Sequence, residues 1–236
     1  MQKILGYLRK CVQRYNMLSD GDRIAVGVSG GKDSMVLLYG LSLLRRFIGI
    51  DYEVIGLTID PGFGGTPGDY SPTEDFCLEH GIKYHIERTQ IGEIVFDVRK
   101  ESNPCSLCAR MRRGALHNTA SDLGCNKIAL GHSFDDTIET FIMNLFNEGR
   151  LGCYSPVTHL PDRDITLIRP LVLAPEKEIR RCAVRNELPI VRSVCPADGH
   201  TNRQKTKEFI AGMERQDKGF KDRIFGALVR SGIDGW

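Results

Sequence analysis

The sequence predicts an α/β protein: a doubly wound, mainly parallel sheet with helices on both faces. Three observations predict it. Short apolar, β-branched runs recur at 23–28, 52–60, 82–87 and 126–132, with helix-length stretches between them. That alternation calls for right-handed parallel crossovers. The first run also passes through Ser29-Gly30-Gly31-Lys32-Asp33-Ser34 directly into the apolar helix 35–44. A strand that turns into a helix N-terminus offers unpaired N–H groups and the positive end of a helix dipole.

Residues 1–19 read as an amphipathic helix, with Ile4, Leu5, Leu8, Cys11, Val12 and Tyr15 near helical spacing. Such a stripe packs on a core, and Asp20-Gly21-Asp22 separates it from the first strand. The expected organisation is an N-terminal helix (1–19), an α/β core (20–195) and a helical C-terminal tail (196–236).

In the loop 29–34, Gly30 and Gly31 let the backbone close on an anion, and Lys32 adds a mobile charge. It is not a Walker A loop. Val26 stands where that motif needs glycine, and Asp33 stands where Ser or Thr would hold magnesium. It resembles instead the pyrophosphate loop of enzymes that adenylate a substrate and release pyrophosphate.

The second strand, 52–60, ends at Asp60, at the carboxyl edge where open α/β sheets place ligand contacts. A turn-rich loop follows, and Ser71-Pro72-Thr73-Glu74 carries the pattern of a capping box. The strand 82–87 comes next. Pro104-Cys105-Ser106-Leu107-Cys108 then opens the helix 106–123. Two thiols three positions apart can bind one metal, and the following arginines favour thiolates. The spacing alone leaves a zinc half-site, a redox pair, an iron–sulfur half-site and a chance pairing of two buried cysteines open.

The strand 126–132 leads into Ser133-Phe134-Asp135-Asp136, where helical spacing sets Asp135 with Glu139 and Asp136 with Thr140. Beside a phosphate loop, a carboxylate there can hold the magnesium that accompanies ATP. Residues 147–161 read as a mobile loop over the site, 166–171 as an extended piece carrying Arg169, and 188–191 as another short strand. The helix from Glu176 reads as a solvated charged face. Cys195 falls in a turn. Arg203, Lys205 and Lys207, with Arg110, Arg112 and Arg113, form a candidate patch for an RNA backbone.

At 236 residues the chain can bury a sufficient core without staples. A net charge of +2 confines any RNA footprint to a local patch. The first ten residues lack a secretory apolar core, and no run is long enough to span a membrane, so a cytoplasmic protein is expected. In that compartment eight cysteines point to metal or redox chemistry rather than disulfides.

Taken together, the loop 29–34, Cys105-Ser106-Leu107-Cys108 with Arg112-Arg113-Gly114, Leu130-Gly131-His132 with Asp135-Asp136, Arg169-Pro170-Leu171 and Cys195 resemble the tRNA 2-thiocytidine synthetases. Two departures are visible. The family often pairs histidines after the glycine, whereas Ser133 follows His132 here. Its members also carry longer, more basic ends than this chain, which makes RNA as the acceptor a weaker expectation than the chemistry. The resemblance implies an adenine-nucleotide alpha hydrolase-like, pyrophosphate-loop ATPase fold and ATP-dependent thiolation of tRNA. It implies catalytic roles for Lys32, Asp33 and Asp136, and nucleotide contacts from Ser29, Gly30, Gly31, Lys32, Asp33, Ser34, Asp60 and Gly131. It further implies Mg2+ and a 4Fe–4S cluster on Cys105, Cys108 and Cys195, with one iron left open for a sulfide. The implied partners are tRNA and a sulfur donor such as a cysteine desulfurase or free sulfide, with room for a homodimer. Competing readings are thiolation of a small-molecule acceptor, ammonia-dependent amide formation, and a zinc-stabilised nucleic-acid module on Cys105, Cys108, Cys195 and His200.

Overall fold

The computed structural model describes residues 1–99, 104–191, 195 and 202–236; Pro196 and His200 lie outside them. Its sheet runs β3-β2-β1-β4-β6-β5. The strands are β1 (Asp22–Gly27), β2 (Tyr52–Asp60), β3 (Lys83–Arg88), β4 (Lys127–Ala129), β5 (Val157–Leu160) and β6 (Ile165–Ile168). All neighbours pair in parallel except β5, which closes one edge antiparallel to β6. Chain order reverses between β1 and β4. Open α/β sheets form their ligand crevice outside the strand ends at that point.

Side-chain alternation sends each strand into two cores. In β1, Ile24 and Val26 join one apolar cluster while Ala25 joins the other. The first cluster holds α1 (Gln2–Arg14), α2 (Lys32–Leu44) and α6 (Glu176–Arg185); the second holds α4 (Pro104–Asp122). Helices therefore cover both faces, as the doubly wound reading requires. Helix α1 buries Ile4, Leu8, Cys11 and Val12, a stripe at helical spacing, and Leu8 presses on Gly40 of α2.

Helix α5 (Phe134–Asn147) carries a smaller cluster, Ile138 and Ile142 with Ile210 of α7 (Asn202–Gln216), flanked by Phe225 of α8 (Phe220–Ser231). Trp236 is buried against Tyr15, Tyr154 and Phe225, and its indole N–H donates to the Tyr154 carbonyl at 2.9 Å.

Three local expectations change. The stretch 147–161 is not all loop, because Val157–Leu160 pairs with β6. Residues 188–191 form no strand; Leu188 is buried in the first cluster with its N–H on the Ala183 carbonyl at 3.0 Å, and Val191 N donates to the Gly30 carbonyl at 3.0 Å. Helix α3 (Ser71–Glu79) has no capping box, because the Ser71 hydroxyl and N–H both turn back to Asp69 Oδ1. Among the described residues, no helix is long and apolar enough to cross a membrane, and all eight cysteines are free of disulfides.

Candidate active site

The glycine loop leaves β1 at the switch point and becomes the first turn of α2. Gly30 adopts φ +80°, which a side chain disfavours, and a Cβ there would lie 3.0 Å from Val191 Cβ. Ser34 Oγ donates to the Gly31 carbonyl at 2.9 Å and accepts from Ser29 N at 3.2 Å; Ser29 Oγ lies 3.2 Å from it. The two serines thus brace the loop from inside. Gly31, the residue that opens α2, supplies no side-chain cap, so the first-turn N–H groups face outward for an anion.

Gly131, just past β4, packs onto this turn so closely that a Cβ would lie 3.1 Å from Asp33 C and from Ser34 N. The β4 end and the loop are therefore two walls of one place. Between them and α4 opens a cavity of about 720 Å3, with Leu57, Ile59 and Leu130 on its apolar side and Ser29, Arg112 and Arg113 on its polar side. An apolar slot beside a phosphate-type loop suits a purine base and its phosphates.

His132, Tyr154 and Arg169 close the far side of that cavity. The Arg169 guanidinium lies 5.0 Å from the Tyr154 ring centre and donates to the Ser155 carbonyl at 2.6 Å. Among the described residues, Arg169 Nε and His132 Nδ1 are buried without partners. Burial, and then the Arg169 charge, pull His132 down to about 4, so its ring is neutral near pH 7.

The carboxylates lie on the other side of the loop. Ser133 caps α5 with a reciprocal box: its hydroxyl accepts from Asp136 N at 3.1 Å, and Asp136 Oδ2 accepts from Ser133 N at 2.8 Å. That fixes Asp136. Its Oδ1 pairs with Arg203 Nη2 at 2.7 Å, and Arg203 Nε reaches Glu139 at 2.8 Å. Asp135 caps the next helix through Glu176 N at 2.6 Å and pairs with Lys221 at 2.5 Å. Lys32 lies between Asp33 at 2.9 Å and Glu176 at 3.0 Å. Burial would lower the Lys32 pKa, but these two carboxylates outweigh it and hold it above the ordinary lysine range. Burial likewise opposes ionisation of Glu176, yet hydrogen bonds from Lys207 and Lys32 hold it at about 2.

Asp60 stands apart. Its Oδ1 accepts from Gly62 N at 3.1 Å, and its Oδ2 accepts from Gly68 N at 2.9 Å and Arg88 at 3.0 Å. It organises the loop after β2, and it does not line the cavity.

The thiols sit at the start of α4, Cys105 exposed and Cys108 buried, with Cys195 half-buried. Burial raises the Cys108 pKa, Arg112 opposes that, and Cys195 and Cys105 are near enough to raise it further. Among the described residues, no three His, Cys, Asp or Glu side chains are gathered tightly enough to hold a metal as they stand. The donor chemistry still fits a thiophilic metal: two thiols one turn apart, a third in electrostatic reach, and an arginine that favours thiolate.

Sequence reasoning missed four participants. Glu176, read as part of a solvated face, binds the loop lysine. Arg203 and Lys207, read as part of an RNA patch, turn inward to Asp136, Glu139 and Glu176. Tyr154 lies in the supposed mobile loop yet lines the cavity. The capping box at Ser133 was a readable signal for a fixed Asp136.

Comparison with known proteins agrees with this geometry. The PP-loop domain family matches residues 6–208. The chain is 40% identical over 229 residues to the tRNA-cytidine(32) 2-sulfurtransferase of Citrifermentans bemidjiense, covering 96% of this chain and 89% of that protein. The protein of the same name from Pelobacter propionicus is 41% identical over 222 residues, covering 93% and 82%. Among solved structures, the U34-tRNA thiolase NcsA from Methanococcus maripaludis with its 4Fe–4S cluster superposes with a TM-score of 0.78 at 27% identity, covering 96% of this chain and 78% of that one. The NH3-dependent NAD synthetase of Campylobacter jejuni, at a TM-score of 0.51 and 15% identity over 100% of this chain and 96% of that one, shares the fold alone. The chain belongs to the PP-loop domain family and, within it, to the tRNA-thiolating enzymes of the tRNA-cytidine 2-sulfurtransferase family.

Proposed function

We propose that this chain uses ATP to replace the C2 oxygen of a tRNA cytidine, at position 32 as in its relatives, with sulfur. The observation that carries the reading is that Ser29 of the phosphate-type loop and Arg112, one turn beyond Cys108, line one cavity. An ATP-cleaving loop and the helix that carries two of the thiols have reason to share a cavity if one prepares the carbon to which the other delivers sulfur.

A pyrimidine carbonyl oxygen is a poor leaving group. In the proposed reaction it attacks the α-phosphorus of ATP, the bond to the bridging oxygen breaks, and pyrophosphate departs. The backbone N–H groups of Gly30 and Gly31 and the hydroxyls of Ser29 and Ser34 would receive that pyrophosphate, and Lys32 would offset its growing charge. Asp33 and Asp136 are the carboxylates that would hold Mg2+. A sulfide equivalent then adds at C2, the C–O bond breaks, and the oxygen leaves on AMP; exchange of oxygen for sulfide changes no oxidation state. Cys105, Cys108 and Cys195 would hold the 4Fe–4S cluster. When bound, it would supply an iron site for the sulfur. Alignment of base, phosphate and sulfur in one cavity is worth several kcal/mol of barrier, on the order of 7–11 in ideal cases.

The test is anaerobic purification of the full chain, with iron, sulfide and zinc counts and pyrophosphate release measured with and without a tRNA transcript. Iron and sulfide in equal amounts, with pyrophosphate release that depends on tRNA, is the expected result. Zinc without iron, or pyrophosphate release indifferent to tRNA, contradicts the reading.

A further inference from the structure

Beside the glycine loop, away from the large cavity, lies a second one of about 240 Å3 lined by Lys32, Asp33, Asp136, Glu176, Arg203 and Lys207, among others. Two of its cations come from α7, which follows Cys195 in the chain, and both are engaged. Arg203 bridges Asp136 and Glu139 at 2.7 and 2.8 Å. Lys207 holds one oxygen of Glu176 at 2.8 Å, while Lys32 holds the other at 3.0 Å. The loop lysine and the α7 cations therefore belong to one ion-pair network.

The charges of this cavity do not suit a phosphate chain as they stand. Its lining has five carboxylates, Asp33, Asp135, Asp136, Glu139 and Glu176, and its three cations, Lys32, Arg203 and Lys207, are all taken up by them. Lys221 on Asp135 and Arg180 on Glu176 reach in from outside the lining. A second observation points the same way: Asp33 Oδ2 holds Lys32 at 2.9 Å, while its Oδ1 is buried with no hydrogen-bond partner among the described residues, an acceptor with capacity for a cation. A polyphosphate bringing its own divalent cation would resolve both, because the metal supplies the carboxylates' counter-charge and frees the side-chain cations. Arg203 is the one built to take that opportunity. Its planar fork matches two phosphate oxygens at once, and its side chain remains 42% exposed and able to swing.

We propose that Arg203 is a phosphate-contacting residue of the ATP-cleaving step: on nucleotide binding its guanidinium leaves Asp136 and Glu139 and takes the pyrophosphate end of ATP. This rests on the ATP-dependent reading above and adds to it a residue contributed by the C-terminal helix. The two carboxylates are then its resting place, competing with the phosphate for the same guanidinium.

Calorimetric titration of the full chain with magnesium pyrophosphate and, separately, with AMP tests this on wild type, Arg203→Ala, Arg203→Lys and Glu139→Gln. Arg203→Ala should weaken pyrophosphate binding by roughly ten-fold or more while AMP binding stays within about two-fold, since AMP lacks the group the fork takes. Arg203→Lys should recover part of the loss. Glu139→Gln should tighten pyrophosphate binding, because one competitor is gone. A static tether predicts the reverse: Glu139→Gln and Arg203→Ala would then impair binding alike, and pyrophosphate and AMP would weaken together. That pattern overturns the proposal, as does pyrophosphate binding that Arg203→Ala leaves intact. Wild-type chain that binds neither ATP nor pyrophosphate contradicts the ATP-dependent reading itself, and this proposal with it.

Discussion

Gly131 and Asp33 meet at the centre of the molecule: a Cβ on Gly131 would lie 3.1 Å from the Asp33 carbonyl carbon. Two segments about a hundred positions apart thereby become the facing walls of one cleft. The contact is backbone to side-chain position, so neither partner can rotate out of the way.

Gly131→Ala should therefore push the β4 end from the first turn of α2. We expect a loss of about 1–3 kcal/mol of stability from overpacking and at least a ten-fold loss of ATP affinity. Gly6→Ala, in α1 with nothing within 4 Å of the added methyl, is the control: it should raise stability by about 0.5–1 kcal/mol through helix propensity and leave ATP affinity unchanged. Thermal melts and equilibrium dialysis with ATP check both.

Lys32→Ala should reduce ATP–pyrophosphate exchange by roughly a hundred-fold or more, the scale of losing one donor to a developing charge. The fold should persist, because Glu176 keeps Lys207 as a partner at 2.8 Å. Normal exchange in a well-folded Lys32→Ala protein would remove the lysine from the reaction.

Cys108→Ala should lose iron in anaerobic preparations while ATP still binds. Cys77→Ala, a buried thiol of α3 packed in the core, should keep it. Equal iron in the two variants would detach the metal from α4.

His132 sets a pH dependence. Its folded pKa, about 4, lies below the unfolded value near 6.5, because burial first and Arg169 second disfavour its charged form, with Asp136 pulling the other way. The unfolded chain therefore binds the proton more readily. The stability this residue contributes is complete above about pH 6.5 and is lost as pH falls towards 4. A Tm that declines across that window in wild type should flatten in His132→Asn; parallel slopes would assign the decline to other groups.

Much of this was legible in the sequence because it is local. The loop 29–34 shows its strand, its glycines and its helix in consecutive residues, and strands β1 to β4 announce themselves by short apolar runs. Strand β5 did not, because four residues between Pro156 and Pro161 have too little pattern to set against the surrounding glycines and prolines. The Ser71 pattern failed because Asp69 competes for the serine, whereas the same chemistry at Ser133 succeeds with Asp136. Hardest to see were Glu176, Arg203 and Lys207. On a helix a charged residue reads as solvated, and nothing in its neighbours' spacing reveals a partner that tertiary folding brings from 31 or 67 positions away.

The most direct measurement is mass-spectrometric nucleoside analysis of a tRNA transcript incubated anaerobically with the iron-loaded chain, ATP and sulfide. The account predicts 2-thiocytidine at position 32, formed in step with AMP and pyrophosphate and absent when ATP is omitted. An unmodified transcript in the presence of bound ATP and intact iron, or thiolation that proceeds without ATP, would contradict it.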